Sequence, residues 1–168
     1  MKSKLLILLI ALSTLCQSQT FRMNLSGTWG PINSKFRVQS EFPIKKRGGF
    51  GINMNYYLKN WKGPIFEPFI RVYKGDSNTE GTFFQAKILI GQLSKLEYTG
   101  HNERYNLSGF GLSFGNKYLV YKNFIIEYLT GIRYLSNPNF SWLTGDYLIW
   151  YTSTGFPIDF NLKFGYQF

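Results

Sequence analysis

Arg37 and Glu41, Glu67 and Arg71, Glu127 and Arg133, and Asp159 and Lys163 each lie an even number of positions apart. On an extended strand, side chains alternate with a period of two, so each pair shares a face. Arg22 and Lys87 occupy equivalent polar rows in their own segments. If those rows converge, six cations and four carboxylates meet in one interior. That arrangement could form an ion path or a self-neutralised network. An eight-stranded barrel is only wide enough inside for its own side chains. A lone buried charge costs several kcal/mol, so a paired network is expected, with no open channel.

Other chemistry is sparsely represented. His101 is the only histidine, with Glu103 two residues on and Ser108 nearby. A base, an orienting carboxylate and a hydroxyl nucleophile are the parts of a hydrolase acting on lipid headgroups. The pattern also arises readily in any polar loop, and no catalytic residue is assigned from it. One histidine and the single Cys16 are too few for a transition-metal site, and no cofactor is implied. Lys45, Lys46 and Arg47 form a basic turn that either meets anionic headgroups or is simply solvated. Nucleic-acid binding would need basic residues clustered beside stacking rings, whereas the cations here are scattered.

The elements that must position these groups are strands. Eight segments alternate between an apolar row and a polar or small row. Phe21, Met23 and Leu25 oppose Arg22, Asn24 and Ser26. Phe36, Val38 and Phe42 oppose Arg37, Gln39 and Glu41. Phe50, Ile52, Met54 and Leu58 oppose Gly51, Asn53 and Asn55. Phe66, Ile70 and Val72 oppose Glu67 and Arg71, with Phe69 and Tyr73 on the same face as the charges. Phe84, Ala86, Ile88 and Ile90 oppose Gln85 and Lys87, and Phe110, Leu112 and Phe114 oppose Gly109, Gly111 and Ser113. Ile126, Tyr128, Ile132 and Tyr134 oppose Glu127, Gly131 and Arg133. In the last segment Phe160, Leu162, Phe164, Tyr166 and Phe168 oppose Asp159, Asn161, Lys163, Gly165 and Gln167. Beyond the leader no stretch sustains a 3.6-residue stripe, so almost no helix is expected. Pro68 removes a ladder donor within the fourth strand, where a bulge would accommodate it.

The links alternate in length. Those over 43–48, 74–81 and 116–123 are short; those over 94–106 and 136–156 are long, with 30–34 and 59–63 on the same side. Short turns on one rim and long loops on the other are the asymmetry of outer-membrane barrels. The second long loop carries Phe140, Trp142, Tyr147, Trp150 and Tyr151. Tyr147 and Trp150 suit an interfacial belt, and Phe140 and Trp142 are candidate loop contacts.

Both ends agree with export. Lys2 and Lys4 precede the apolar run 5–12, and Cys16-Gln17-Ser18 offers small residues for cleavage, so residues 1–18 read as a signal peptide and 19–168 as the barrel. That run is too short to span a bilayer. Loss of Lys2 and Lys4 lowers the net charge from +10 to +8. Charged residues make up 17% of the chain against about 25% for soluble domains. Aromatics reach 19%, as expected of a surface partly facing lipid.

Three phrases carry a resemblance: Met23-Asn24-Leu25; Phe66 to Tyr73 followed by Gly81-Thr82-Phe83-Phe84; and Gly155 to Asp159 leading into Gly165-Tyr166-Gln167-Phe168. They resemble an uncharacterised family, a domain of unknown function, of small bacterial outer-membrane β-barrels. Val72 departs from the aromatic expected between Arg71 and Tyr73. The resemblance implies an eight-stranded barrel and lends no catalytic residues. The ending, with Phe164, Tyr166 and Phe168, also resembles the carboxy-terminal signal read by the outer-membrane barrel assembly machinery.

The expectation is therefore an all-β, eight-stranded antiparallel up-and-down transmembrane β-barrel in the bacterial outer membrane, with ten strands as the alternative count. Such a chain would be a monomer surrounded by outer-membrane lipid, with a structural or loop-mediated binding role and no enzymatic activity. Two other readings compete: a barrel-borne lipid-modifying hydrolase, and a secreted soluble barrel that is the same pattern turned inside out.

Overall fold

The computed structural model describes residues 24–30, 35–44, 47–58, 61–75, 80–96, 102–121, 123–136 and 157–168. It is all-β and antiparallel. The strands are β1 (Asn24–Gly30), β2 (Lys35–Ile44), β3 (Gly48–Leu58), β4 (Trp61–Tyr73), β5 (Gly81–Leu96), β6 (Asn102–Val120), β7 (Phe124–Leu135) and β8 (Ile158–Gln167). From β2 to β8 each strand pairs with the next as a curled seven-stranded meander. β1 pairs with β2 on one side and with residues 164–167 of β8 on the other, closing a barrel.

Alternation fixes the two faces. Along β4, β5 and β8 every second residue is buried or half-buried and its neighbours are mostly exposed. Phe110, Ile132 and Phe160 on the outside are 63–66% exposed, whereas Arg37, Glu41 and Lys163 inside are at 0%. Apolar rows therefore point away from the barrel axis and charged rows point toward it. On β5 the outward Phe84, Ala86, Ile88 and Ile90 cover about 20 Å of strand.

Three sequence expectations need correction. The long link over 94–106 is largely strand: β5 continues to Leu96 and β6 begins at Asn102, paired through Leu96↔Asn102. The turn over 116–123 is likewise shorter, because β6 continues through Lys117 to Val120. No bulge forms at Pro68. The β4–β5 pairs step from Phe66↔Ile90 to Phe69↔Lys87, three residues on each strand, so no extra residue is inserted. The ladder simply lapses at the proline, whose missing N–H cannot bond, and the β3 side stays continuous through Ile52↔Pro68.

A second lapse lies between Lys62↔Ser94 and Ile65↔Gly91, at Gly63 and Pro64. Gly63 has φ +139°, a region that only glycine enters without strain. The segment 1–18 expected to be a signal peptide and the loop residues Phe140, Trp142, Tyr147, Trp150 and Tyr151 lie outside the described residues.

Candidate functional site

The barrel interior holds the concentrated chemistry. Arg37, Glu41, Glu67, Arg71, Lys87, Glu127, Arg133, Asp159 and Lys163 are all buried there. Arg22 lies outside the described residues. Two further cations, Lys35 and Lys117, join them, each at the end of a strand that sequence reading stopped short. Among the described residues, seven cations thus share the interior with four carboxylates.

One cluster centres on Arg71 of β4. Its Nη1 donates to Glu41 Oε2 and Glu127 Oε2, both at 2.9 Å, and its Nη2 donates to Glu127 Oε1 at 3.0 Å. The paired contact to Glu127 is the bidentate fork that planar guanidinium makes with carboxylate. Nη2 also donates to Gln85 Oε1 at 2.6 Å, across the register pair Arg71↔Gln85. Beneath the guanidinium lies the ring of Phe83, 3.8 Å from the Arg71 carbon to the ring centroid, a cation–π seat. Lys163 donates to Glu127 Oε1 at 2.6 Å from the directly opposite position on β8, and to Gln39 at 2.5 Å. Lys117 donates to Glu41 at 2.8 Å and to the Tyr73 hydroxyl at 2.7 Å, and Tyr73 in turn donates to Glu41 at 2.6 Å. Six strands meet at these few atoms.

The second cluster lies nearer the long links and centres on Glu67 and Asp159. Glu67 accepts from Lys87 at 3.0 Å, from Arg37 at 3.3 Å and from Asn53 at 3.4 Å, with Arg133 at 3.6 Å. Asp159 pairs with Lys87, lies 3.8 Å from Arg37 and 4.0 Å from Lys35, and accepts from Asn161 at 2.6 Å. Arg37 Nε donates to Asn55, its register partner on β3. Gly111 of β6 makes room for this crowd. A Cβ there would meet Lys87 Cε at 2.9 Å and Arg133 Cβ at 3.1 Å. Here cations outnumber anions, and Lys35 Nζ, Arg37 Nη1 and Arg133 Nη2 have no hydrogen-bond partner among the described residues.

Apolar layers flank the charges. Tyr57, Trp61, Ile65, Leu89, Leu93, Leu107 and Leu135 form a buried cluster toward the long-link rim, and Tyr73, Phe83 and Leu129 form a smaller one toward the short-turn rim. Sequence reading missed most of these inward apolar residues. The signal that could have found them is strict period two, which puts Tyr57 in line with Asn55 and Leu89 with Lys87.

Phe164, Tyr166 and Phe168 of the terminal segment stand exposed on the outer wall. Ser108 is also outward, and its backbone N–H donates to Ser136 Oγ at 3.0 Å. His101 lies outside the described residues, as do Lys45 and Lys46. The neighbouring Arg47 is exposed, and its carbonyl accepts from the Tyr73 N–H at 2.8 Å. No protein-family model matches the chain, and neither a curated protein nor a solved structure does.

Proposed function

We propose that this chain is a small, non-enzymatic outer-membrane β-barrel of eight membrane-spanning strands, related to the uncharacterised barrel family its motifs resemble. Its lumen is a rigid ion-paired plug, and its long-link rim is the contact face toward the outside. The observation that carries this reading is the inverted distribution of polarity. Large apolar side chains cover the outer wall of the barrel, while ionised groups fill its centre. Burying one such apolar side chain is worth about 1.5–3 kcal/mol, so a wall built of them is stable where hydrocarbon covers it. A soluble ligand-binding barrel would carry the opposite arrangement.

The burial of the lumen charges supports a plug rather than a pore. A water-filled passage would leave Arg37, Glu67 and Lys163 accessible, and each is at 0% exposure. Phe164, Tyr166 and Phe168 form the outward aromatic row that the assembly machinery would read, and outer-membrane lipid is the surrounding partner. A monomer is expected, because the sheet closes through β1 and β8 and leaves no edge to recruit a second chain.

Cell fractionation and gel mobility test the proposal together. The expressed chain should sediment with the outer membrane and migrate differently before and after boiling. Recovery as a freely soluble monomer, with one mobility in both samples, would overturn it.

A further inference from the structure

We infer that the outer wall carries a seat for one anionic phospholipid at the long-link end of β4, β5 and β6. The inference rests on the membrane reading above and goes beyond it by naming a lipid class and the residues that select it.

The seat begins with a groove of about 570 Å³ on the outer wall, lined among others by Pro64, Phe66, Ile90, Gly91, Gln92 and Asn106. It lies where the β4–β5 ladder lapses at Gly63 and Pro64, and Gly91 lets the β5 backbone sit close against β4 there, since a Cβ would meet the Pro64 carbonyl oxygen at 2.4 Å. Directly above it, toward the long links, Lys62, Ser94 and Arg104 stand in one register row through Lys62↔Ser94 and Ser94↔Arg104. Both cations are exposed on the outward face.

The vertical order of chemistry matches a phospholipid. Neighbouring strands are about 4.8 Å apart, so the Lys62 and Arg104 backbones are about 10 Å apart and their long side chains can converge on one phosphate. One row lower, about 7 Å along the strands, Gln92 donates to Asn106 at 2.9 Å. This amide pair is exposed and keeps further donors and acceptors for glycerol and ester oxygens. Lower again come Phe66 and Ile90, then Ile88 and Phe110, which offer only hydrocarbon contact. A free phosphate would use the cations alone. A neutral phospholipid would use the groove with little from the cations. An anionic phospholipid uses both.

The test is lipid retention by the full chain in nanodiscs of equal phosphatidylglycerol and phosphatidylcholine, extracted in mild detergent and read by native mass spectrometry. The wild type should keep phosphatidylglycerol over phosphatidylcholine by about tenfold, as two cations at an anionic surface allow. Joint Lys62→Ser and Arg104→Ser replacement should bring that ratio close to one. Ser108→Trp, which fills the groove from its β6 wall, should reduce both adducts. Equal retention by the wild type, or an unchanged ratio in the double variant, overturns the seat. So does complete displacement by millimolar inorganic phosphate with Ser108→Trp without effect, since the site would then take a free anion. Co-elution with nanodiscs before extraction separates the two claims. A chain that never co-elutes overturns the membrane reading and the seat together, whereas one that co-elutes and holds both lipids equally overturns the seat alone.

Discussion

The charged centre of the lumen and the apolar cluster under its long-link rim fill the same cylinder by opposite means. Around Glu67 and Arg71, position is set by directed bonds between groups on different strands. Around Leu89 and Leu93, the space is held by shape and by exclusion of water, and Tyr57 ties this layer to the charges by accepting from Arg133 at 3.2 Å. The first region fixes register, because moving one strand would separate Glu127 from Lys163 and Arg71 from Gln85. The second tolerates a changed side chain at the cost of a cavity. The two should therefore fail differently.

Removing one partner from the charged centre should have the largest effect. Glu67→Gln keeps the volume but leaves Arg37, Lys87 and Arg133 facing each other. A loss of about 3–5 kcal/mol is expected in reversible urea unfolding from lipid vesicles, because uncompensated buried charge is far costlier than a missing contact. Leu89→Ala in the apolar cluster should cost about 3 kcal/mol in the same measurement, through lost transfer energy and the cavity left behind. If Glu67→Gln proved milder than Leu89→Ala, the directed bonds would not be what specifies the lumen.

The outer wall offers a third contrast. Ile132→Lys places a charge where hydrocarbon is expected, and a loss of about 2 kcal/mol should appear in vesicles. Little change there would mean that this face is already wet. The smallest effect belongs to the edge of the charged network. Tyr73→Phe removes a hydroxyl that donates to Glu41 and accepts from Lys117, for about 1 kcal/mol. A null result would leave Lys117 and Arg71 sufficient to hold Glu41.

Much of the wall and the charged rows was legible because period two is a local property. Phe36 against Arg37, or Leu162 against Lys163, needs no knowledge of a partner strand to be sorted onto opposite faces. Strand ends were not legible in this way. Around Ser94, Lys95 and Asn102 to Asn106 both rows are polar, so alternation in hydrophobicity disappears although the backbone continues as strand. What extends it is pairing between β5 and β6, a non-local cause. Lys35 and Lys117 were missed for the same reason. At a strand end a lysine reads as turn, and only the register of the neighbouring strands shows that it points inward. The response to Pro68 was also beyond local reading, since bulge and interrupted ladder satisfy the same missing donor.

The central claim is that the apolar wall meets hydrocarbon, and one residue reports on it directly. Leu112 lies mid-strand on β6 between Ala86 and Ile132, facing outward. A nitroxide attached at Leu112→Cys, with Cys16→Ser removing the native thiol, should in vesicles collide readily with oxygen and hardly at all with a water-soluble nickel chelate. Free access of the chelate to that label would place water against the wall and contradict the account.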